Sequence, residues 1–296
     1  MRSELQVASW TWRERIRWAI RRPVLLNEKV RYKMAMDRRP LITTFADKWA
    51  VREYVAHRVG EDVLNPVYAV TEDPSLVDFS TLPKRFVVKP THGSGAVIIL
   101  DRETDPNHTL PPPSSNGGWL RAIARVHPDH VDRTAFEQLC HHWLTASYQP
   151  WEWAYRNVPP RLIVEKYIGD PVEGFPTDYK LHVHHGHVRW IQVHGSRGVG
   201  HTMSLRWPDW SPIPARGKYP APDPPPEPPR NLSRMIEISE SLGQETDMVR
   251  VDLYEIDDQI IFGELTNYGG GGASRFDPPE YERILGETWN PPRIYR

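Results

Sequence analysis

The sequence predicts an α+β fold. Strand-like and helix-like stretches are interspersed along the 296 residues. The strands come largely as neighbouring pairs joined by short turns, which argues against a doubly wound parallel sheet. Two proline-dense segments interrupt the pattern: 101–118, with Pro111-Pro112-Pro113, and 208–230, ending Pro-Pro-Pro-Glu-Pro-Pro. Proline lacks the amide hydrogen and restricts the residue before it, so both segments read as extended surface loops.

Residues 1–46 read as a helical N-terminal extension. Within it Trp10, Trp12, Ile16, Trp18 and Ile20 are interleaved with Arg13, Arg15, Arg17, Arg21 and Arg22. The general rule for amphipathic helices favours packing on the domain with the arginines in solvent. The other reading is a peripheral membrane contact through residues 1–26, because a basic helix with tryptophans suits an anionic surface. Next, Ala46–Val59 reads as a helix bearing Val51, Tyr54, Val55 and Val59 on one side, with Gly60 as its stop. Arg85–Lys89 and Ala96–Leu100 read as strands flanking a glycine turn, Thr134–Ser147 as a helix and Arg161–Ile168 as a buried strand. Asp178–His185 and Val188–His194 form a hairpin around Gly186. Asn231 caps a helix to Leu242 that Gly243 closes. Met248–Glu255 and Gln259–Thr266 form a second hairpin, and the segment from Pro278 reads as mostly helical.

Bulk properties narrow the function classes. A net charge of −1 gives no global argument for a nucleic-acid partner. The single cysteine, Cys140, forms no internal disulfide and no cysteine zinc cluster, which fits a reducing, cytoplasmic setting. No apolar run spans a bilayer, and arginines interrupt the N-terminus where a signal peptide needs an apolar core.

Three stretches carry chemistry. In the last hairpin, Asp252 and Glu264 each sit among apolar residues. A three-residue turn at Asp257–Gln259 places them directly opposite each other, where facing like charges call for a cation such as Mg²⁺. A two-residue turn sends them instead to opposite faces as ordinary surface charges. Phe86-Val87-Val88-Lys89-Pro90-Thr91-His92-Gly93-Ser94-Gly95 delivers a lysine to a small-residue loop, which suits phosphate but is neither a Walker A nor a Rossmann sequence; taken alone, the stretch is better accounted for by a plain hairpin turn. Leu162-Ile163-Val164-Glu165-Lys166-Tyr167-Ile168 is a buried strand ending in polar residues, either a hinge for the edge of a flat base or an ordinary strand end.

Taken in order, these pieces resemble the ATP-grasp enzymes, and more closely the TupA-like ATP-grasp proteins of bacterial polysaccharide gene clusters. The resemblance runs from about Asn27 to Leu285. It includes Asn27-Glu28-Lys29, Asp37-Arg38, Ala46-Asp47-Lys48, Val51-Arg52-Glu53-Tyr54-Val55, Lys89 with His92-Gly93-Ser94-Gly95, and Glu165-Lys166-Tyr167. It continues through Asp178-Tyr179-Lys180, Ile191-Gln192-Val193, Val249–Tyr254, Phe262–Thr266, the run Gly269–Gly272 and Phe276-Asp277-Pro278.

The resemblance implies an ATP-grasp fold in which two α+β lobes clamp ATP: a smaller lobe at 47–164 with the glycine loop, and a larger one at 165–296 with the metal site and the loop 208–230. It implies ATP and Mg²⁺ as cofactors. Lys48 and Lys89 would hold phosphates, with His92, Gly93, Ser94 and Gly95 closing over them. Glu165, Lys166 and Ile168 would form the adenine hinge, Asp170 or Glu173 would reach the ribose, and Lys180 would make a third phosphate contact. Asp252, Glu264 and Thr266 would hold metal; Thr266 stands where the family usually has Asn, and Asn267 follows one residue later. Arg250 would stabilise an acyl phosphate. The acceptor region would comprise His182, His184, Gln192, His194, Arg197 and His201, where family members often carry an acidic residue near His194.

The activity implied is ADP-forming ligation of a small-molecule or glycan carboxylate to an amine. Alternatives are a phosphotransferase acting on a sugar or glycan, and a non-catalytic nucleotide-binding scaffold. Neutralising Asp252 or Glu264 is expected to end turnover and to leave the metal-free fold intact or slightly firmer.

Overall fold

The computed structural model describes residues 12–18, 20–169, 175–195 and 200–296. The chain divides into two compact units. The smaller comprises Ala46–Ala50 and Asn65–Tyr167; the larger comprises Met1–Phe45, Val51–Leu64 and Ile168–Arg296. The fold is α+β, one five-stranded sheet per unit. These units differ from the sequence division. The described residues of the N-terminal extension up to Phe45 belong to the larger unit, the segment 51–64 joins them there, and the later boundary falls after Tyr167.

The sheet of the smaller unit contains β1 (Val67–Thr71), β2 (Arg85–Pro90), β3 (Ala96–Asp101), β4 (Ala122–Val126) and β5 (Leu162–Lys166). Its order is β1-β5-β2-β3-β4, antiparallel except for the β3–β4 pair. The alternation of Phe86 and Val88 inward with Lys89 half-buried is the period of a one-sided strand. Phe86, Val88, Ile98, Leu100, Leu162 and Val164 pack with Phe136, Leu139, Cys140 and Trp143 of the long helix Arg133–Thr145. Asp132 caps that helix, its carboxylate accepting from the Thr134 and Ala135 amides.

In the larger unit the sheet order is β10-β9-β6-β7-β8, antiparallel throughout. The strands are β6 (Asp178–His184), β7 (His187–Gly195), β8 (Thr202–Arg206), β9 (Met248–Ile256) and β10 (Gln259–Thr266). One face carries Leu181, Val183, Ile191, Val193, Val249, Val251, Leu253 and Leu265 into a core completed by Met235, Ile238 and Leu242 of the helix Leu232–Leu242 and by Val51 and Val55 of the helix Val51–Val59. The opposite face carries the polar residues considered below.

Several sequence expectations are corrected. The helix expected over 46–59 begins only at Val51, after a shorter helix Pro40–Ala46. Lys48 lies on the intervening turn, because the Asp47 carboxylate accepts the Trp49 amide at 2.8 Å and competes with helical bonding. Asn231 does not cap with its side chain, which donates instead to Glu255 and to the Asp258 carbonyl. Gly243 ends its helix in the right-handed region, not the left-handed one. The C-terminal segment is helical only over Tyr281–Gly286, before Pro291-Pro292. Strands β1, β4 and β8, each of five residues, had no counterpart in the sequence reading. The stretch 208–230 is an extended loop, pinned by the Trp210 indole N–H to the Pro226 carbonyl at 3.0 Å.

The decisive detail is the turn between β9 and β10. It has two residues, Asp257 and Asp258, both at positive φ, with Ile256 paired to Gln259. The two-residue turn alone would place Gly263 opposite Asp252. A β-bulge between Phe262 and Glu264 absorbs Gly263 and restores Glu264 to that place. A Cβ on Gly263 would meet Tyr254 Cε2 at 2.9 Å and the Asp252 carbonyl oxygen at 3.0 Å. Gly263→Val is therefore expected to destabilise the fold by about 2 kcal/mol. Deleting Gly263 leaves Glu264 opposite Asp252 in a continuous ladder and is expected to be milder. Urea midpoints of the two variants check the ordering.

Candidate functional site

On the polar face of the larger unit, residues two apart share a side, and cross-strand partners extend it sideways. Lys180 lies opposite Asp252, and Asp252 opposite Glu264. His182 lies opposite Trp190 and Arg250, and Asp178 opposite His194. The expected convergence of Asp252 and Glu264 is thus present, centred on a cation of the protein itself. Arg250 Nε donates to Asp252 Oδ1 at 2.6 Å, and Arg250 Nη2 donates to Asp252 Oδ2 at 2.7 Å, to Glu264 Oε1 at 3.0 Å and to Thr266 Oγ1 at 2.9 Å. Thr266 in turn donates to Glu264 Oε1 at 2.9 Å. Lys180 Nζ bridges Asp252 Oδ2 and Asp178 Oδ2, the latter at 2.7 Å. Burial works against the Arg250 charge, but Asp252, Glu264 and Asp178 more than offset it and hold its pKa above the ordinary arginine value. Asp178 entered the sequence reading only as part of a resembling motif. Its place two residues before Lys180 on one strand already puts it on the same face.

These residues suit a hard cation under one condition. Their donors are all oxygen, and the Glu264 side chain is 37% exposed, with Oε2 bonded to no described residue. Among the described residues, however, no cluster of three or more His, Cys, Asp or Glu could hold a metal by itself. A Mg²⁺ here would take two carboxylates from the chain and the rest of its shell from phosphate and water, the usual arrangement for that ion. The Thr266 hydroxyl orients Glu264. Asn267 is out of reach, because it lies off this face with its amide donating to the Ile42 carbonyl at 2.9 Å.

Beside Arg250 is a cavity of ≈ 30 Å³, the room of one or two waters, lined by His182, Gln192, Asn27, Ser274, Gly269 and Gly270 among others. His182 stacks on Trp190 with ring centroids 3.4 Å apart and bonds Gln192 Oε1 at 3.1 Å. Asn27, on the helix Leu26–Met36, holds the glycine run by both ends of its amide, donating to the Ser274 carbonyl at 2.8 Å and accepting from the Ser274 amide at 2.9 Å. The remaining acceptor residues separate. His194 Nδ1 lies 2.9 Å from His201 Nε2, and the His201 ring stacks on Tyr219. Arg197 is outside the described residues, as are Asp170 and Glu173.

His184 is corrected out of the acceptor region. Its ring shares the face of His182 but is fully buried against Trp289, with Nδ1 2.8 Å from Thr288 Oγ1. Burial, reinforced by His185 and Arg189, pushes its pKa down to about 3. A histidine held neutral in the fold contributes stability above its unfolded pKa of about 6.5 and loses it as pH falls toward the folded value. The contribution is on the order of 4 kcal/mol. His184→Phe is expected to flatten the acid limb of the stability–pH curve by one proton between those limits, measured as urea midpoints against pH.

The smaller unit holds the remaining candidates. Lys89 Nζ and Glu165 Oε2 form an ion pair at 2.5 Å across β2 and β5, so these two candidates are neighbours. Lys48 Nζ donates to the Gly93 carbonyl and fastens the glycine loop. Gly93 is required there because a Cβ would stand 2.3 Å from the Trp119 ring. Gly95 has φ +75, and the Ser94 carbonyl accepts the Trp119 indole N–H at 3.0 Å. His92 turns inward, its Nε2 3.0 Å from the Trp143 carbonyl, and burial lowers its pKa, so only its backbone remains for a ligand. Lys166 is also committed: its amide bonds the Pro66 carbonyl, and its carbonyl accepts Asn65 at 2.9 Å. Ile168 begins the last segment of the larger unit. The Cys140 thiol is buried and pushed up to about 12, which removes it as a nucleophile.

Comparison with known proteins adds the following. The family model described as TupA-like ATPgrasp matches residues 28–108 and 141–290. No curated protein matches the chain. Similar solved structures include the D-alanine–D-alanine ligase from Bacillus anthracis complexed with ATP, 14% identical with a TM-score of 0.39, covering 77% of this chain and 56% of that one. D-cycloserine synthetase DcsG is 14% identical with a TM-score of 0.40, covering 84% and 70%. The macrocyclase MdnC bound with precursor peptide MdnA from Microcystis aeruginosa is 11% identical with a TM-score of 0.37, covering 84% and 62%. The chain thus spans little more than half the length of the first of these ligases.

Proposed function

The chain belongs to the TupA-like ATP-grasp family, and from that premise we propose that it is a Mg²⁺-dependent, ADP-forming ligase joining a carboxylate to an amine. A substrate carboxylate oxygen attacks the γ-phosphorus of ATP, ADP leaves, and an acyl phosphate forms. The amine nitrogen then attacks the acyl carbon, phosphate leaves, and the nitrogen sheds a proton to give the amide. No protein nucleophile is required.

The observation that supports this reading best is the convergence of Asp252, Glu264 and Thr266 on Arg250, with Lys180 joined to the same carboxylate. When nucleotide binds, Asp252 and Glu264 would take the cation that neutralises developing phosphate charge. Arg250 and Lys180, released from those carboxylates, would then bind transferring phosphoryl oxygens. Lys48 and Lys89, with the amides of Gly93, Ser94 and Gly95, would hold phosphate oxygens, and Glu165, Lys166 and Ile168 the base. Because both Lys166 backbone groups already have partners, Glu165 and Ile168 would carry more of that role than the sequence implied. His182 and Gln192, beside Arg250, would meet the acceptor. The setting proposed is the cytoplasm, in assembly of cell-surface polysaccharide or a peptide conjugate.

Calorimetry with ATP and Mg²⁺, followed by a screen of uronic acids and amino acids for ADP release, tests the reading. Binding is expected, with phosphate release only when acid and amine are both present. Turnover with a sugar hydroxyl alone would identify a phosphotransferase, and no nucleotide binding would end the enzymatic reading.

A further inference from the structure

The N-terminal arginine–tryptophan segment does not pack as amphipathic helices ordinarily do. Residues 12–18 and 20 are helical. One aromatic of that stretch turns inward: Trp18 is buried, edge-on to Tyr32 at 6.2 Å, with the Arg17 guanidinium 4.8 Å from the Trp18 ring centre. The apolar residues spaced four apart, which a packed helix would bury, point away instead. Trp12 is 64% exposed, Ile16 43% and Ile20 84%. Four-residue spacing puts them on one stripe of the helix. Arg13 and Arg15 flank the stripe on its two sides, both exposed, and Arg21 and Arg22 follow, exposed as well. Between residues 12 and 24 five arginines stand against the single acid Glu14, in a chain whose net charge is −1. Positive charge is therefore concentrated where the apolar stripe is bare.

We propose that this helix docks the protein onto an anionic phospholipid surface, inserting Trp12, Ile16 and Ile20 into the headgroup boundary while the arginines meet lipid phosphates. Each half of the pattern points to that occupant. An uncharged apolar partner would leave the arginines without counter-charge. An acidic soluble ligand would leave three large apolar side chains in water. A bilayer interface with anionic headgroups satisfies both, and tryptophan is enriched at such interfaces. The helix lies along the surface, since among the described residues no helix is long and apolar enough to cross a membrane. Trp18 and the ion pairs of Glu28 with Arg17 at 3.8 Å and Arg21 at 3.5 Å fix it to the larger unit, so docking orients that unit without unfolding it.

The test is co-sedimentation of the full chain with vesicles of phosphatidylcholine alone or phosphatidylcholine mixed with phosphatidylglycerol. Binding to the anionic vesicles only, weakened by salt, is expected. Trp12→Ser/Ile16→Ser/Ile20→Ser and Arg13→Gln/Arg15→Gln should each weaken it at least about tenfold. All the substituted side chains are exposed, so thermal midpoints should stay at the parent value. Asp252→Asn should bind vesicles like the parent, which separates this proposal from the ligase reading. Undiminished binding by the triple-serine variant, or no preference for anionic vesicles, would overturn it. Self-association that the serines abolish, without vesicle binding, would assign the stripe to a second copy of the chain instead.

Discussion

Asp252→Asn is expected to lower ATP-dependent turnover by about 10²–10³-fold or more and to cost about 3 kcal/mol of folding stability as well. The second effect reverses the expectation drawn from sequence. Two carboxylates facing each other across a ladder would repel, and removing one charge would relieve them. In the structure Asp252 is 2% exposed and receives Arg250 through both oxygens and Lys180 through one. An amide keeps one acceptor and turns a donor toward two cations, leaving buried positive charge short of its partner. Glu264→Gln provides the contrast. Glu264 is partly solvated and touches Arg250 and Thr266 through one oxygen only, so its stability loss should stay under about 1 kcal/mol while turnover falls comparably. Urea unfolding without metal, beside ADP release with it, resolves the two quantities. Full turnover in Glu264→Gln would remove that carboxylate from the site.

How these carboxylates meet also marks how far sequence could be read. The two strands and their pairing followed from pattern, whereas the facing of Asp252 and Glu264 was one of two readings and hung on a three-residue turn. That turn is absent: two residues stand where three were needed, and Gly263 makes up the count by bulging. A glycine inside a strand is the recognised sign of a bulge, so the signal was present in Phe262-Gly263-Glu264. The Lys48 turn was signalled likewise by Asp47, whose side chain competes with a helix at its own position. The His184 ring shares the face of His182, as strand periodicity requires, but it is covered by Trp289 and Thr288, more than a hundred residues away, which no local pattern reveals.

Other features had no local signal. The helix Leu26–Met36 buries Lys29 and Lys33, which no hydrophobic pattern would place inside. Lys33 pairs with Asp37 one turn on, but the other partners lie more than two hundred residues away: Lys29 donates to the carbonyls of Gly286 and Trp289, and Lys33 reaches Thr246 and Asp247. Polar burial of this kind is decided mainly by tertiary contacts, and it makes this part of the apparent N-terminal extension an interior helix of the larger unit. The same holds for Asn27, whose pairing with Ser274 joins the helix Leu26–Met36 to the glycine run beside Arg250.

Lys33→Met should produce the largest stability loss of any single substitution considered, about 3–5 kcal/mol. Lys33 is fully buried between Asp37 at 3.1 Å and Asp247 at 2.5 Å, with Thr246 as third acceptor. Removing it leaves Asp37 its contacts with Arg39, and leaves Asp247 the Trp289 indole at 2.7 Å and the Tyr295 hydroxyl at 2.9 Å. Those are donors but, for Asp247, no longer a contacting cation. Burial raises the Asp247 pKa, while Lys33, Trp289 and Tyr295 together outweigh it and hold the carboxyl below its usual range. In the variant both Lys33 contributions are gone, so the carboxyl is expected to rise from that lowered position. A carboxyl so shifted loses less stability on protonation than the parent's does, so the deficit against the parent should narrow as pH is lowered toward the acid range. Lys33→Met/Asp247→Asn, which removes both charges, should recover part of the loss even at neutral pH and give a coupling of kcal/mol size in a double-mutant cycle. A Lys33→Met variant within about 1 kcal/mol of the parent at neutral pH would mean that water, not lysine, satisfies these carboxylates.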